Sequence, residues 1–207
     1  GKPVEVVAAD HQNKPDVAAN LAREWFDQGK VDMITDFPTA STALAVMEIA
    51  KQKNRVTMPS AGLSTAILGE KCSPLNAQWT TNTYALAAGT ARALVQEGKK
   101  TWYFITADYT FGHSLEKDAT EVIKENGGTV VGVSRHPFPG NDFSSFLLKA
   151  QASKADVIAL ANAGNDTVNA VKQANEFGIN KKQIVAPLLT YISDVHSMGL
   201  SKAQGMY

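Results

Sequence analysis

Thr101-Trp102-Tyr103-Phe104-Ile105-Thr106-Ala107, then Asp108-Tyr109-Thr110-Phe111-Gly112 and the run on to Ser134, decide the fold of this chain. The first seven residues are apolar on both alternating faces, as in a strand covered on both sides. Residues 108–112 make a short loop. Leu115, Ala119, Val122 and Ile123 then recur at helical spacing, and Gly127-Gly128 ends that helix. Residues 129–134 are strand-like again. Such a strand–helix–strand unit has parallel strands and a right-handed connection. Ligands of these sheets sit beyond the carboxyl ends of the strands, so residues 108–112 are the first loop to inspect.

The same alternation extends in both directions. Upstream, residues 84–97 read as a helix with Leu86, Ala87, Ala91 and Leu94 on one side, ended by Gly98. Residues 79–82 read as an extended crossing, and residues 63–78 as an irregular surface excursion with one helical turn. Nearer the start, residues 4–9 read as a strand. Asp16 caps a helix whose inner face is Val17, Leu21, Ala22 and Trp25. Residues 31–35 are the next strand. Ser41 or Thr42 caps a helix carrying Leu44, Met47 and Ala50, and residues 55–58 form a short strand.

Downstream, Asn141 or Asp142 caps a helix whose stripe is Phe143, Phe146, Leu147 and Ala150. Strands follow at 156–161 and 183–186, separated by a helix marked by Val168, Val171, Ala174 and Phe177. Residues 193–200 make a last short helix. Short apolar strands alternating with helices predict an α/β fold with parallel sheets flanked by helices. A change of sheet falls between Trp79 and Thr83, dividing the chain into residues 1–80 and 81–207.

The 207 residues carry 20 Lys plus Arg and 20 Asp plus Glu, so the net charge is zero. That balance points away from nucleic acid and from an anionic membrane surface. Cys72 has no second cysteine in the chain and no ligand neighbours at metal spacing. No signal peptide or apolar run of spanning length is present. The chain starts almost directly in a strand and stops at Gly205-Met206-Tyr207 without a closing helix. We therefore expect truncation at both ends, with any targeting segment upstream.

Motifs for chemistry are mostly missing. There is no Gly-x-Ser-x-Gly elbow and no dinucleotide fingerprint, and residues 62–71 lack the spacing of a phosphate loop. His11, His113, His136 and His196 are too scattered for a metal set. Asp108 and His113 read as a capping surface pair more readily than as an acid–base pair. No cofactor, metal or catalytic residue is expected.

What remains are strand-exit loops rich in small hydroxyl residues. Thr39-Ala40-Ser41-Thr42 and Ser60-Ala61-Gly62 each follow a strand. Helix-start amides and hydroxyls bind anions, and small residues let a carboxylate approach the backbone. An ordinary N-cap explains Ser41 equally well. Trp79, Tyr109 and Phe111 can cover an apolar ligand face or simply plug the core.

In order and spacing, several of these runs resemble the periplasmic leucine/isoleucine/valine-binding protein family. They are Val31-Asp32-Met33-Ile34, Ser41-Thr42-Ala43-Leu44-Ala45, Met58-Pro59-Ser60-Ala61-Gly62, Ala107-Asp108-Tyr109-Thr110-Phe111-Gly112, Gly127-Gly128 and Asn141-Asp142-Phe143-Ser144-Ser145-Phe146. Cys72-Ser73-Pro74, Trp79 and Asn82-Thr83-Tyr84-Ala85-Leu86-Ala87 resemble a subgroup of ABC-transporter solute-binding proteins from soil and phototrophic bacteria. The resemblance implies a type I periplasmic binding protein with two Rossmann-like lobes. Residues 1–80 would be a partial first lobe, lacking its first strand and helix, and residues 81–207 most of the second. It implies a small carboxylate ligand, ABC permease subunits as partners, a periplasmic location, a monomer, and no enzymatic activity. A receptor ectodomain of the same fold is the alternative.

By the same resemblance, Ser41 and residues 60–62 match positions that hold a ligand α-carboxylate. Phe111 matches a position where many members place a covering Tyr. Ala163 or Gly164 falls near a further ligand-facing aromatic. Leu188 stands where amino-acid binders place the acidic partner of the α-ammonium. A buried ammonium without such a partner costs several kcal/mol. Leu188 therefore favours an aromatic or apolar acid over a branched-chain amino acid, unless Asp108 or Asp166 supplies the charge.

Overall fold

Helix formation begins at Pro15 in the computed structural model, which describes Gly1 and residues 3–207. Pro15 takes the first helical position of α1 (Pro15–Asp27), where its missing N–H has no partner to lose. Lys14 is the N-cap, so Asp16 lies in the first turn instead of capping it. The buried side of α1 is Ala18, Ala19, Ala22 and Phe26. Only Ala22 of the expected stripe is buried; Val17, Leu21 and Trp25 are half-buried at its margin. Small alanines give close approach to α2 (Ala40–Gln52), and the bulk comes from Phe26, Val46, Met47 and Ile49.

The chain divides into two compact units, Gly1–Thr80 and Thr81–Tyr207. In the first, β1 (Met33–Thr35) and β2 (Val56–Met58) pair in parallel, Ile34 opposite Thr57. Residues 4–9 are not a strand. They have no ladder partner among the described residues, and Val4, Val6 and Val7 are exposed. An extended apolar run becomes a strand only where a neighbour takes up its amides and carbonyls. The excursion after β2 does contain one short turn, a 3-10 helix over Thr65–Ile67 capped by Ser64.

The second unit opens with α3 (Thr83–Gln96). Asn82 caps it by accepting from the Ala85 amide. Next come β3 (Thr101–Ala107), α4 (Thr110–Glu125), β4 (Thr129–His136), α5 (Ser144–Ala152), β5 (Val157–Ala161), α6 (Asn165–Glu176) and β6 (Ile184–Pro187). Two short helices, α7 (Ile192–Met198) and α8 (Leu200–Ala203), follow. The sheet order is β4-β3-β5-β6, with every pair parallel. β4 runs two residues beyond the expected Ser134, which brings His136 to its carboxyl end. Neither Asn141 nor Asp142 is the N-cap of α5; Phe143 is, and Asp142 accepts from the Ser144 amide just ahead of the helix.

Alternate side chains of β3 supply both layers of the core. Tyr103 and Ile105 pack with Leu147, Ala150, Val171 and Ala174 of α5 and α6. Trp102 and Phe104 point to the other face, which α4 covers with Leu115, Ala119, Val122 and Ile123. Each such large side chain contributes about 1.5–3 kcal/mol on burial.

The opposite, amino end of this sheet is tied by Asp156. Its Oδ2 accepts from the amides of Lys100 and Thr101 at 2.9 Å each and from Thr101 Oγ1 at 2.8 Å, while Thr101 Oγ1 accepts from the Asp156 amide. The Thr101 amide above all holds the carboxyl below its ordinary value. A depressed folded-state value means stability present above the unfolded value near 3.8 and lost as pH falls through the lower folded one. Asp156 is only half-buried, so screening discounts this contribution. Asp156→Ala is expected to cost about 1 kcal/mol at pH 7, and its effect should shrink toward pH 3. Thermal melting across that pH range checks both.

Candidate functional site

In residues 1–80 the chain leaves β1 through Asp36, Phe37, Pro38 and Thr39 into α2. Asp36 sits in the left-handed region at φ 61, and Phe37 is buried beneath the turn. Thr39, and neither Ser41 nor Thr42, is the N-cap. Its hydroxyl does not cap the helix amides; it lies 2.9 Å from Thr42 Oγ1 and 3.4 Å from Ser41 Oγ. Thr42 is buried and donates back to the Thr39 carbonyl. With no side-chain acceptor at its start, α2 presents its first-turn amides, and the half-buried Ser41 hydroxyl stands beside them.

The second loop comes to the same place. A Cβ on Gly62 would lie 2.8 Å from Ala43 Cβ and 3.6 Å from Ala40 Cα, so residues 60–62 rest on the first turns of α2. The sequence-based expectation joined these two loops, and within this unit they are adjacent. Ser60 donates to Asp36 Oδ1 at 2.6 Å, which commits that hydroxyl to a carboxylate of the protein. Sequence reasoning missed this partner because Asp36 and Ser60 are distant in the chain. It also missed Gln78, whose Nε2 donates to the Gly62 carbonyl at 2.8 Å, although a Gln beside the Trp79 crossing was visible. Ala61 is half-buried, and Trp79 stands 89% exposed.

In residues 81–207 the candidates gather at the carboxyl ends of β3, β4, β5 and β6. Tyr109 is the N-cap of α4. Its ring stacks on Phe138 with centroids 4.3 Å apart and an interplanar angle of 17°. Phe138 was absent from the expectation; it follows the unexpected end of β4, in Pro137-Phe138-Pro139. Burial raises the Tyr109 phenol well above its ordinary value, and the nearby charge of Asp166 raises it further. Phe111 is buried in the first turn of α4, 6.0 Å from the Tyr109 ring, so it supports that ring from the core. Ala163 and Gly164 are half-buried at the exit of β5, and Gly164 is the N-cap of α6 with φ 59. Leu188 is buried just past β6, its amide bonded to the Leu160 carbonyl.

Behind the aromatic pair lies a buried polar cluster. His136 Nε2 accepts from Asn162 Nδ2 (3.3 Å), and its Nδ1 donates to the Pro137 carbonyl (2.9 Å) and lies 3.7 Å from Asp166 Oδ2. Thr167 donates to Asn162 Oδ1, and the Gly140 amide donates to Asp166 Oδ1. Asp108 and His113 do pair, at 2.7 Å, but both are exposed, as a surface pair would be. Among the described residues no cluster of three His, Cys, Asp or Glu could hold a metal ion.

A family profile described as "Periplasmic binding protein" matches residues 1–207. The chain belongs to this family. A periplasmic binding protein from Burkholderia mallei is 50% identical over the whole chain and 55% of its own length, with a TM-score of 0.96. A branched chain amino acid ABC transporter periplasmic ligand-binding protein from Burkholderia xenovorans LB400 is 36% identical, covering 100% of this chain and 55% of its own, with a TM-score of 0.79. Leu/Ile/Val-binding protein homolog 6 from Brucella melitensis biotype 1 is 30% identical over 95% of this chain and 51% of its own length. A solute binding protein of an ABC transporter from Rhodopseudomonas palustris BisB5, solved with 3,4-dihydroxy benzoic acid, is 26% identical over 90% of this chain and 51% of its own, with a TM-score of 0.81. The chain thus spans about half the length of the periplasmic binding proteins it matches. Its parallel sheets flanked by helices are the α/β architecture of those neighbours.

Proposed function

We propose that the chain is part of an extracytoplasmic solute-binding protein of an ABC importer. Its ligand is a small carboxylic acid, aromatic or apolar in preference to a branched-chain amino acid. One observation carries this: the start of α2 has no side-chain cap, and residues 60–62 press against it, leaving Ser41 and helix amides for a carboxylate. The stacked Tyr109 and Phe138 rings, and an apolar Leu188 rather than an acid, favour a flat or apolar body. Residues 1–80 are then part of a first lobe and residues 81–207 most of a second. The protein works in the periplasm as a monomer, delivers its ligand to the permease subunits, and performs no turnover.

A thermal-shift screen of the full-length protein tests this reading. Its arms are leucine, isoleucine and valine; benzoate and cinnamate derivatives; and short aliphatic acids. An acid present at 100 times its dissociation constant should add about 2.7 kcal/mol of stability. Aromatic acids are expected to stabilise and leucine is not. Stabilisation by leucine, with no response to any acid lacking an amine, would overturn the ligand class.

A further inference from the structure

Among the described residues, the buried carboxylate oxygens without a hydrogen-bond partner are Glu116 Oε2, whose other oxygen holds Arg135, and Asp166 Oδ2. Asp166 is 2% exposed. Its other oxygen holds the Gly140 amide at 3.1 Å, but Oδ2 receives nothing. His136 Nδ1 is 3.7 Å away and lies closer, at 2.9 Å, to the Pro137 carbonyl. A buried acceptor left unpaired is costly, and native structures seldom keep one without a use for it. Two more unpartnered hydroxyls, Thr106 Oγ1 and Thr190 Oγ1, lie at the carboxyl end of β3 and just beyond β6. This edge of the sheet is short of hydrogen-bond partners where such sheets receive ligands.

Nothing lies within 4 Å of where a side chain on Gly164 would sit, two residues before Asp166 at the start of α6. The amides of that helix start attract anions, yet the group placed among them is itself a carboxylate. A second anion is therefore disfavoured there, and a hydrogen-bond donor is favoured.

We propose that Asp166 is a specificity-determining acceptor, receiving a hydroxyl or ammonium donor carried by the ligand. This rests on the proposed carboxylate-binding function. Burial raises the Asp166 carboxyl, while the Gly140 amide and His136 pull it back. The titratable groups facing it are His136 from β4 and Tyr109 from the start of α4, whose neutral phenol the Asp166 charge raises. A folded-state value above the unfolded one means that stability is lost as pH rises through the folded value. The unliganded protein therefore gains no stability at neutral pH from keeping this carboxyl ionised, as expected of a group kept for binding.

Two matched pairs decide the matter in the full-length wild-type protein by calorimetry. One is 4-hydroxybenzoate against 4-methoxybenzoate; the other is leucine against 4-methylpentanoate. In one pair the donor-bearing acid is expected to bind at least tenfold more tightly, and which pair responds tells hydroxyl from ammonium. Asp166→Asn keeps an oxygen for Gly140 but turns the unpartnered atom into a donor. It should shrink that preference to threefold or less, with a melting temperature at pH 7 equal to or above wild type. Equal binding within both pairs overturns the assignment and leaves the carboxylate function standing. A preference that survives Asp166→Asn, or a marked fall in the melting temperature of the variant, also overturns it. Failure of every acid to bind overturns the carboxylate function and this assignment together.

Discussion

Gly112→Ala is expected to destabilise residues 81–207 by about 3 kcal/mol or more, near the upper end of overpacking costs. Gly112 lies in the first turn of α4, buried between strand ends. A Cβ there would fall well inside van der Waals contact of the Ala107 carbonyl oxygen and 3.1 Å from that of Ala161. Both neighbours are backbone of central strands, so no rotamer relieves the clash. Either α4 lifts from the sheet or β3 and β5 spread. With marginal stabilities of about 5–15 kcal/mol, that loss lowers the melting temperature by roughly 10 °C or more. Gly89→Ala, in α3 with nothing within 4 Å of the new methyl, is the control and should not destabilise. Circular dichroism melts of both variants check this. An unchanged melting temperature for Gly112→Ala would mean that the helix start is not seated on the strands as described.

The second large effect is on binding. Gly62→Val places branched carbon where Ala43 Cβ is 2.8 Å and Ile67 Cδ1 3.1 Å away. The flanking loop is short and surface-facing at Ser60, so it can yield without unfolding the unit. Residues 60–62 then move off the start of α2, breaking the Gln78 contact to the Gly62 carbonyl. Losing hydrogen bonds to a charged carboxylate costs about 1.5–3 kcal/mol, which is roughly 10- to 100-fold in affinity. Affinity for whichever acid stabilises the wild-type protein is therefore expected to fall by that factor. Titration calorimetry measures it, and circular dichroism confirms that the variant remains folded. Unchanged affinity would remove these loops from the ligand site.

Much of this was legible in the chain itself. The run from Thr101 to Ser134 reads correctly as strand, helix and strand because both periods are local properties of the backbone. Strand-exit loops bearing Ser41, Ser60, Tyr109 and Gly164 were legible too, since glycines, caps and apolar runs mark where elements end. Residues 4–9 show the limit. Their composition is that of a strand, but strand formation needs a neighbouring ladder, which local sequence does not encode. The α1 stripe turned by about one position for a similar reason: the partner surface on α2, not the pattern alone, chooses the buried face.

The sequence by itself determined most of the order of elements, their parallel pairing and the strand-exit loops, because these follow from periodicity and turn chemistry within a few residues. Only the tertiary structure decided what each site residue meets. Ser60 reaches Asp36, Phe138 lies on Tyr109, and Asp166 is buried beside His136 with one oxygen unpaired. Those pairings join residues 24 to 30 positions apart, and folding alone sets which side chains share so small and dry a space.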